Sequence, residues 1–137
     1  MASFEPAKVL EYQDGEDPKK VVIDALGGCL DGLELFRNEV LVVTAPTMSI
    51  SRGGIIFTDK AKGEERFQGK TGLVVKLGEI AFKDAELWPN DETRPKVGDW
   101  VFYRNADTSE CSINKISCRF VRDDMIKGRI SSPDAIR

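Results

Sequence analysis

The chain of 137 residues contains no histidine at all. Ser-His-Asp and Cys-His catalytic sets are thereby excluded, as are ordinary histidine-ligated zinc sites. Cysteine is scarce: Cys29, Cys111 and Cys118 are odd in number and show no C-x-x-C spacing. Cys111 and Cys118 either meet across a hairpin or pack as small half-buried hydrophobes, as free cysteine commonly does. No apolar run approaches the roughly 20 residues that span a bilayer. The stretch from Met1 to Lys8 lacks the basic and apolar regions of a secretory signal. A surplus of positive charge is also missing, since 20 Lys and Arg stand against 23 Asp and Glu for a net charge of -3. Such a balance provides no general pull toward nucleic acid or an anionic membrane. These absences predict a cytoplasmic protein and remove a large share of enzyme classes; the chain is expected to be no enzyme and to carry no cofactor.

What is present describes one domain with a modest core: 41% hydrophobic and 31% charged residues are the proportions of an ordinary globular chain. A leader comes first, polar around Gly15, Glu16 and Asp17. The run D-P-K-K-V-V-I-D-A-L-G-G then carries a helix start in Asp17 and Pro18 and a helix stop in Gly27. Val22, Ala25, Leu26 and Leu30 would share one face of that helix. The β-branched run Val21-Val22-Ile23 argues for a strand at the same place. From Glu39 onward the signals are β: Val40 to Val43, Leu73 to Leu77 and Trp100 to Tyr103. One or two further strands follow around Ile113, Ile116, Cys118, Phe120 and Val121, and a last one in Met125 to Ile130. Short strands punctuated by Gly, Pro and Asp favour a small barrel or sandwich. Because the apolar runs do not alternate, the strands are expected to be covered on both faces, as a small barrel within an oligomer would be. Between two strands lies a long excursion, Glu79 to Pro95, with Phe82, Leu87 and Trp88 set among acidic residues. A connection of that length is usually functional or disordered. The plainer expectation is that its aromatics fold back onto the barrel.

The segment Ser49 to Gly72 differs from all of these. Gly53-Gly54 precedes three bulky apolar residues, Ile55, Ile56 and Phe57, and the flanks are small, polar and charged. A hairpin buried in its own core would continue the alternation. The pattern describes a mobile arm with an apolar tip, which usually docks into the groove of another protein. A plain hairpin turn with Ile55 and Phe57 in a local core is the alternative.

The order of these features resembles the GroES-type co-chaperonins, the lid subunits of the bacterial folding chamber. The resemblance runs from about Leu33 to Ser131. It rests on Glu39-Val40-Leu41-Val42-Val43, on Gly53-Gly54-Ile55-Ile56-Phe57-Thr58 and on Gly69-Lys70-Thr71-Gly72-Leu73-Val74-Val75 followed by Gly78. Its most specific element is Lys96-Val97-Gly98-Asp99-Trp100-Val101-Phe102-Tyr103, similar to the family's K-V-G-D-x-V run. Asp123-Asp124-Met125-Ile126-Lys127-Gly128-Arg129-Ile130 looks like its closing strand. Two departures stand out: the leader has no counterpart in the short bacterial proteins, and the excursion lacks the glycine-rich turn of the family's roof hairpin. The chain thus looks more like a bacteriophage-encoded member than a cellular one.

The resemblance implies an all-β, GroES-like barrel over residues 33–131 after an N-terminal extension over 1–32, with a tail over 132–137. Within the barrel it implies a mobile loop at about 47–68 and a roof loop at about 79–95. It implies a homo-oligomeric, seven-subunit ring that caps a GroEL-type chaperonin, in the cytoplasm of a bacterial or infected host cell, and encloses unfolded protein substrates. ATP would be bound by the chaperonin. Gly53, Gly54, Ile55, Ile56 and Phe57 would make the docking contact. Leu33, Leu35 and Phe36 of one subunit would lie beside Lys127, Gly128, Arg129 and Ile130 of the next. Physical magnitudes agree with a weak single arm. Burying three large apolar side chains yields roughly 5–9 kcal/mol, while ordering about five backbone residues at roughly 1–2 kcal/mol each cancels most of it. Several arms on one ring would then accumulate avidity.

Two other classes compete. A viral structural or decoration protein could use the same scaffold, because fold does not determine function. A nucleic-acid-binding barrel is suggested by Gly69-Lys70-Thr71-Gly72 but opposed by the net charge and by the lack of aromatics set in a basic stripe.

Overall fold

In the computed structural model, which describes residues 7–48 and 70–133, the leader resolves its two conflicting signals as a helix. This helix, α1 (Pro18–Leu26), begins where Asp17 accepts the N–H of Lys19 at 3.0 Å. It stops at Gly27, whose N–H donates to the Ile23 carbonyl at 3.2 Å. Nine residues are too few for a stable isolated helix. Tertiary burial of Val22 and Leu26 overrides the strand preference of Val21-Val22-Ile23. Ahead of α1, β1 (Glu11–Tyr12) pairs in parallel with β3 (Thr47–Met48). Lys8 bridges to Ile116, so the leader is tied down at several points.

The chain is mostly β. Its main sheet contains β2 (Glu39–Thr44), β4 (Thr71–Leu77), β5 (Trp100–Tyr103), β6 (Thr108–Ile113), β7 (Ile116–Arg122) and β8 (Ile126–Ile130). The spatial order is β6-β7-β2-β4-β5-β8, with every neighbouring pair antiparallel. Among the described residues the two outer strands, β6 and β8, do not pair, so the sheet is open where a closed barrel was expected.

The central strand explains the missing alternation. Val40, Leu41, Val42 and Val43 are each 0% exposed. Leu41 and Val43 face the α1 side, packing with Val22, Leu26 and Trp100. Val40 and Val42 face the opposite side, packing with Phe82, Val101 and Tyr103. The expectation of strands covered on both faces holds. The cover, however, comes from the same chain, the leader on one face and the excursion on the other. The sheet is therefore a middle layer between two apolar clusters.

Turn chemistry sets the strand boundaries. In Lys96-Val97-Gly98-Asp99 the Asp99 carboxylate accepts the Lys96 N–H at 2.8 Å, and Gly98 adopts φ +99, a conformation that side-chain-bearing residues rarely reach. The Gly98 N–H donates to the Val74 carbonyl at 2.8 Å, which fastens the turn to β4. The β6–β7 hairpin closes through Asn114 and Lys115, both at positive φ, as a two-residue turn between right-twisted strands requires. Among the described residues no helix is long and apolar enough to cross a membrane.

Candidate functional site

Three places carry the residues singled out by the sequence. The first is the base of the arm. β2 and β4 run side by side, with Val43 opposite Leu73 and Thr44 opposite Gly72. The segment between β3 and β4 follows β3, which pairs with β1, and returns into β4 beside β2. Gly53, Gly54, Ile55, Ile56 and Phe57 lie outside the described residues. The base itself is tightly held. Ala45 N–H donates to the Thr71 carbonyl at 3.0 Å, and the Thr44 and Ser117 hydroxyls are 2.9 Å apart. Tyr103 fills the space over Gly72, and burial pushes its hydroxyl well above the usual tyrosine range.

The second place is the candidate subunit contact, which has two parts. Lys127, Gly128, Arg129 and Ile130 form most of β8, which pairs with β5 on one side only among the described residues. Lys127 and Arg129 are exposed, whereas Gly128 and Ile130 are half-buried. The ring of Phe102 lies so close to Gly128 that a Cβ there would collide with it. Arg129 also ties the margin to the excursion, reaching Asp99 at 3.3 Å and the Glu92 carbonyl at 3.0 Å. Leu33, Leu35 and Phe36 lie ahead of the central strand β2, with the Phe36 carbonyl close to Gly78 just past the end of β4. Leu33 and Leu35 pack partly against the α1-side cluster. Phe36 is 62% exposed beside a shallow hollow that it lines with Leu35, Ser109 and Phe120. Among the described residues the stretch 33–36 joins no strand. The two groups are not brought together within the chain: one lies on the outer strand β8, the other ahead of the central strand β2.

The third place is the excursion over 79–95, which forms no strand hairpin. Phe82 turns inward to 2% exposure, and Trp88 meets it edge-to-face at a centroid distance of 4.9 Å. The Arg94 guanidinium donates to the Trp88 carbonyl at 3.0 and 2.7 Å. The plainer expectation, aromatics folded back onto the sheet, is what the structure has. Ile80 and Leu87 remain outside, each 55% exposed.

Sequence reasoning missed Asp123. Its carboxylate, 2% exposed, accepts the Phe82 N–H at 2.8 Å and the Asn38 side-chain amide at 2.9 Å. An Asp-Asp pair between two apolar strands signals a turn, and such a turn forms at Asp123–Met125. Nothing local in it reveals the distant partners.

Cys111 and Cys118 meet in register across the β6–β7 hairpin, both as free thiols. Burial pushes the Cys118 thiol up to about 12 and raises that of Cys111 as well. Among the described residues no three His, Cys, Asp or Glu side chains gather in a way that could hold a metal ion. No protein-family model matches the chain, and a search of curated proteins finds no match.

Proposed function

We propose that the chain is a GroES-type co-chaperonin lid that caps a GroEL-type chaperonin in a nucleotide-dependent manner and encloses folding substrate. In this reading the sheet is the GroES-like barrel domain, residues 79–95 are its roof, and ATP belongs to the chaperonin. Ile55, Ile56 and Phe57 carry the docking energy, and Gly53-Gly54 allow the chain to bend as it docks.

One observation carries the reading: the segment holding this apolar tip lies between β3 and β4, beside the well-packed end of the sheet where Thr44 of β2 pairs with Gly72 of β4. A rigid base lets several weak arms act together, because each later contact becomes effectively intramolecular. The candidate subunit contact adds support. Leu33, Leu35 and Phe36 lie ahead of the central strand β2, and Lys127 to Ile130 on the outer strand β8. Two different surfaces on each subunit are what a head-to-tail ring requires.

The test mixes the purified protein with a bacterial chaperonin and ATP and looks for capped particles by electron microscopy. Capped particles with the wild-type chain, lost in Ile56→Asp while the ring persists, support the lid. Capping that survives Ile56→Asp overturns the tip as anchor; a monomeric chain that never caps overturns the lid altogether. A viral decoration protein is the second reading. The observation favouring it is the leader, which adds a full helical layer over one sheet face.

A further inference from the structure

Cys111 on β6 stands directly opposite Cys118 on β7. Both belong to the α1-side cluster, so the two side chains share one face of the hairpin. Directly opposed antiparallel residues lie about 4.5–5.5 Å apart at Cα. That range falls inside the roughly 4.4–6.8 Å that a disulfide spans. Access is unequal: Cys111 is half-buried, whereas Cys118 is 0% exposed and its Sγ donates to the Ile116 carbonyl at 3.4 Å. We propose that Cys111 and Cys118 form an oxidation site, a dithiol that closes to a cross-strand disulfide without a change in strand register. The oxidant class is a hydroperoxide, and the site stands independently of the lid reading.

The step divides between the two cysteines by their access. The Cys111 thiolate attacks the terminal peroxide oxygen. The O–O bond breaks, the alkoxide leaves and takes up a proton, and Cys111 becomes a sulfenic acid. Cys118 then loses its proton, and its sulfur attacks the Cys111 sulfur. The S–S bond forms, the S–O bond breaks, and hydroxide departs as water. In sum, two thiols and one hydroperoxide give one disulfide, one alcohol and one water. Because burial raises both thiols, little thiolate exists near neutrality, so the reaction is slow there and accelerates with alkali.

The product would be a staple on an outer strand. β6 is an outer strand of the sheet, held along its length by β7. The hairpin tip is already tied to the helix, since Asn114 Nδ2 donates to the Ala25 carbonyl at 3.3 Å. A bridge at Cys111–Cys118 makes peeling of β6 from β7 harder by constraining the opened state.

The experiment uses the full chain carrying Cys29→Ser, which removes the exposed third thiol. Hydrogen peroxide is the probe, read by intact mass and by tryptic mapping. Trypsin cleaves after Arg104, Lys115 and Arg119, so the bridge links peptides 105–115 and 116–119. Support is a loss of two hydrogens, that linked pair, reversal by dithiothreitol, and faster formation at about pH 9 than at about pH 7. Amides of β6 in the oxidised chain should then exchange at least about tenfold more slowly. In the Cys118→Ser chain, Cys111 should advance to sulfinic acid, since no resolving thiol remains. The proposal is overturned by sulfinic acid at Cys111 with both thiols present, by links between chains, or by faster exchange across the hairpin after oxidation. In the chain that retains Cys29, a dominant Cys29–Cys111 link would also overturn it.

Discussion

Asp123 and Phe82, 41 residues apart, are joined by a buried carboxylate that accepts a backbone N–H at 2.8 Å. Phe82 holds φ +61, an uncommon conformation for a bulky residue, and its ring reaches the core while Trp88 packs on its edge. The same carboxylate accepts Asn38 from the chain segment entering β2. One side chain thus fastens the excursion, the start of β2 and the turn into β8.

Replacing Asp123 by Ala leaves the buried Phe82 N–H and the half-buried Asn38 amide without their acceptor. The expected loss is about 2–4 kcal/mol, with roughly 1–3 kcal/mol from the buried N–H and less from the half-buried amide. Urea denaturation measures it. Hydrogen exchange should show residues 80–88 losing protection first; an unchanged excursion would dissociate Asp123 from this role.

Leu26→Ala separates a structural leader from an appendage. Leu26 is 5% exposed and packs under the sheet with Val22. Truncation in a close-packed core costs about 2–5 kcal/mol. A midpoint shift below about 0.5 kcal/mol, the size of a surface substitution, would mean that α1 contributes nothing to the core.

Phe36→Ser tests the candidate subunit contact. The side chain is 62% exposed, so folding stability should move by no more than about 0.5 kcal/mol. If Phe36 lies between subunits, sedimentation velocity should show smaller assemblies at equal concentration. An unchanged size distribution removes it from the interface.

Alkaline pH should weaken the fold through Cys118. Its folded-state thiol is raised to about 12 from an ordinary value of 9.0. Below pH 9 the thiol is protonated whether the chain is folded or not, and its contribution is fully present. Between about 9 and 12 the unfolded chain releases the proton and the folded one does not, so stability falls as pH rises. Tyr103 acts in the same direction above its ordinary value of 10.0. Under reductant, urea midpoints at about pH 8 and about pH 10.5 should drop more in the wild type than in Cys118→Val; equal drops would contradict the assignment.

Much of the fold was readable from residues alone. Asp17, Pro18 and Gly27 delimit α1 through local hydrogen bonds and backbone angles. Gly98 and Asp99 mark the turn into β5 in the same way. The absence of alternation in β2 correctly announced burial on both faces. It could not say what provides the cover, because periodicity reports that a side chain is buried and never against which part of the chain. The two parts of the candidate subunit contact were legible only as short runs. Their placement, one on the outer strand β8 and the other ahead of the central strand β2, depends on strand order, to which local sequence is blind.

Sequence by itself determined the caps, the turns, the short apolar strands and the exclusion of histidine chemistry, since each follows from the covalent properties of a few adjacent residues. Only the tertiary structure decided that the leader seals one sheet face, that Asp123 anchors Phe82, and that Cys111 faces Cys118. The reason is physical: such contacts join residues remote along the chain, and their energy exists only once the intervening segments have packed.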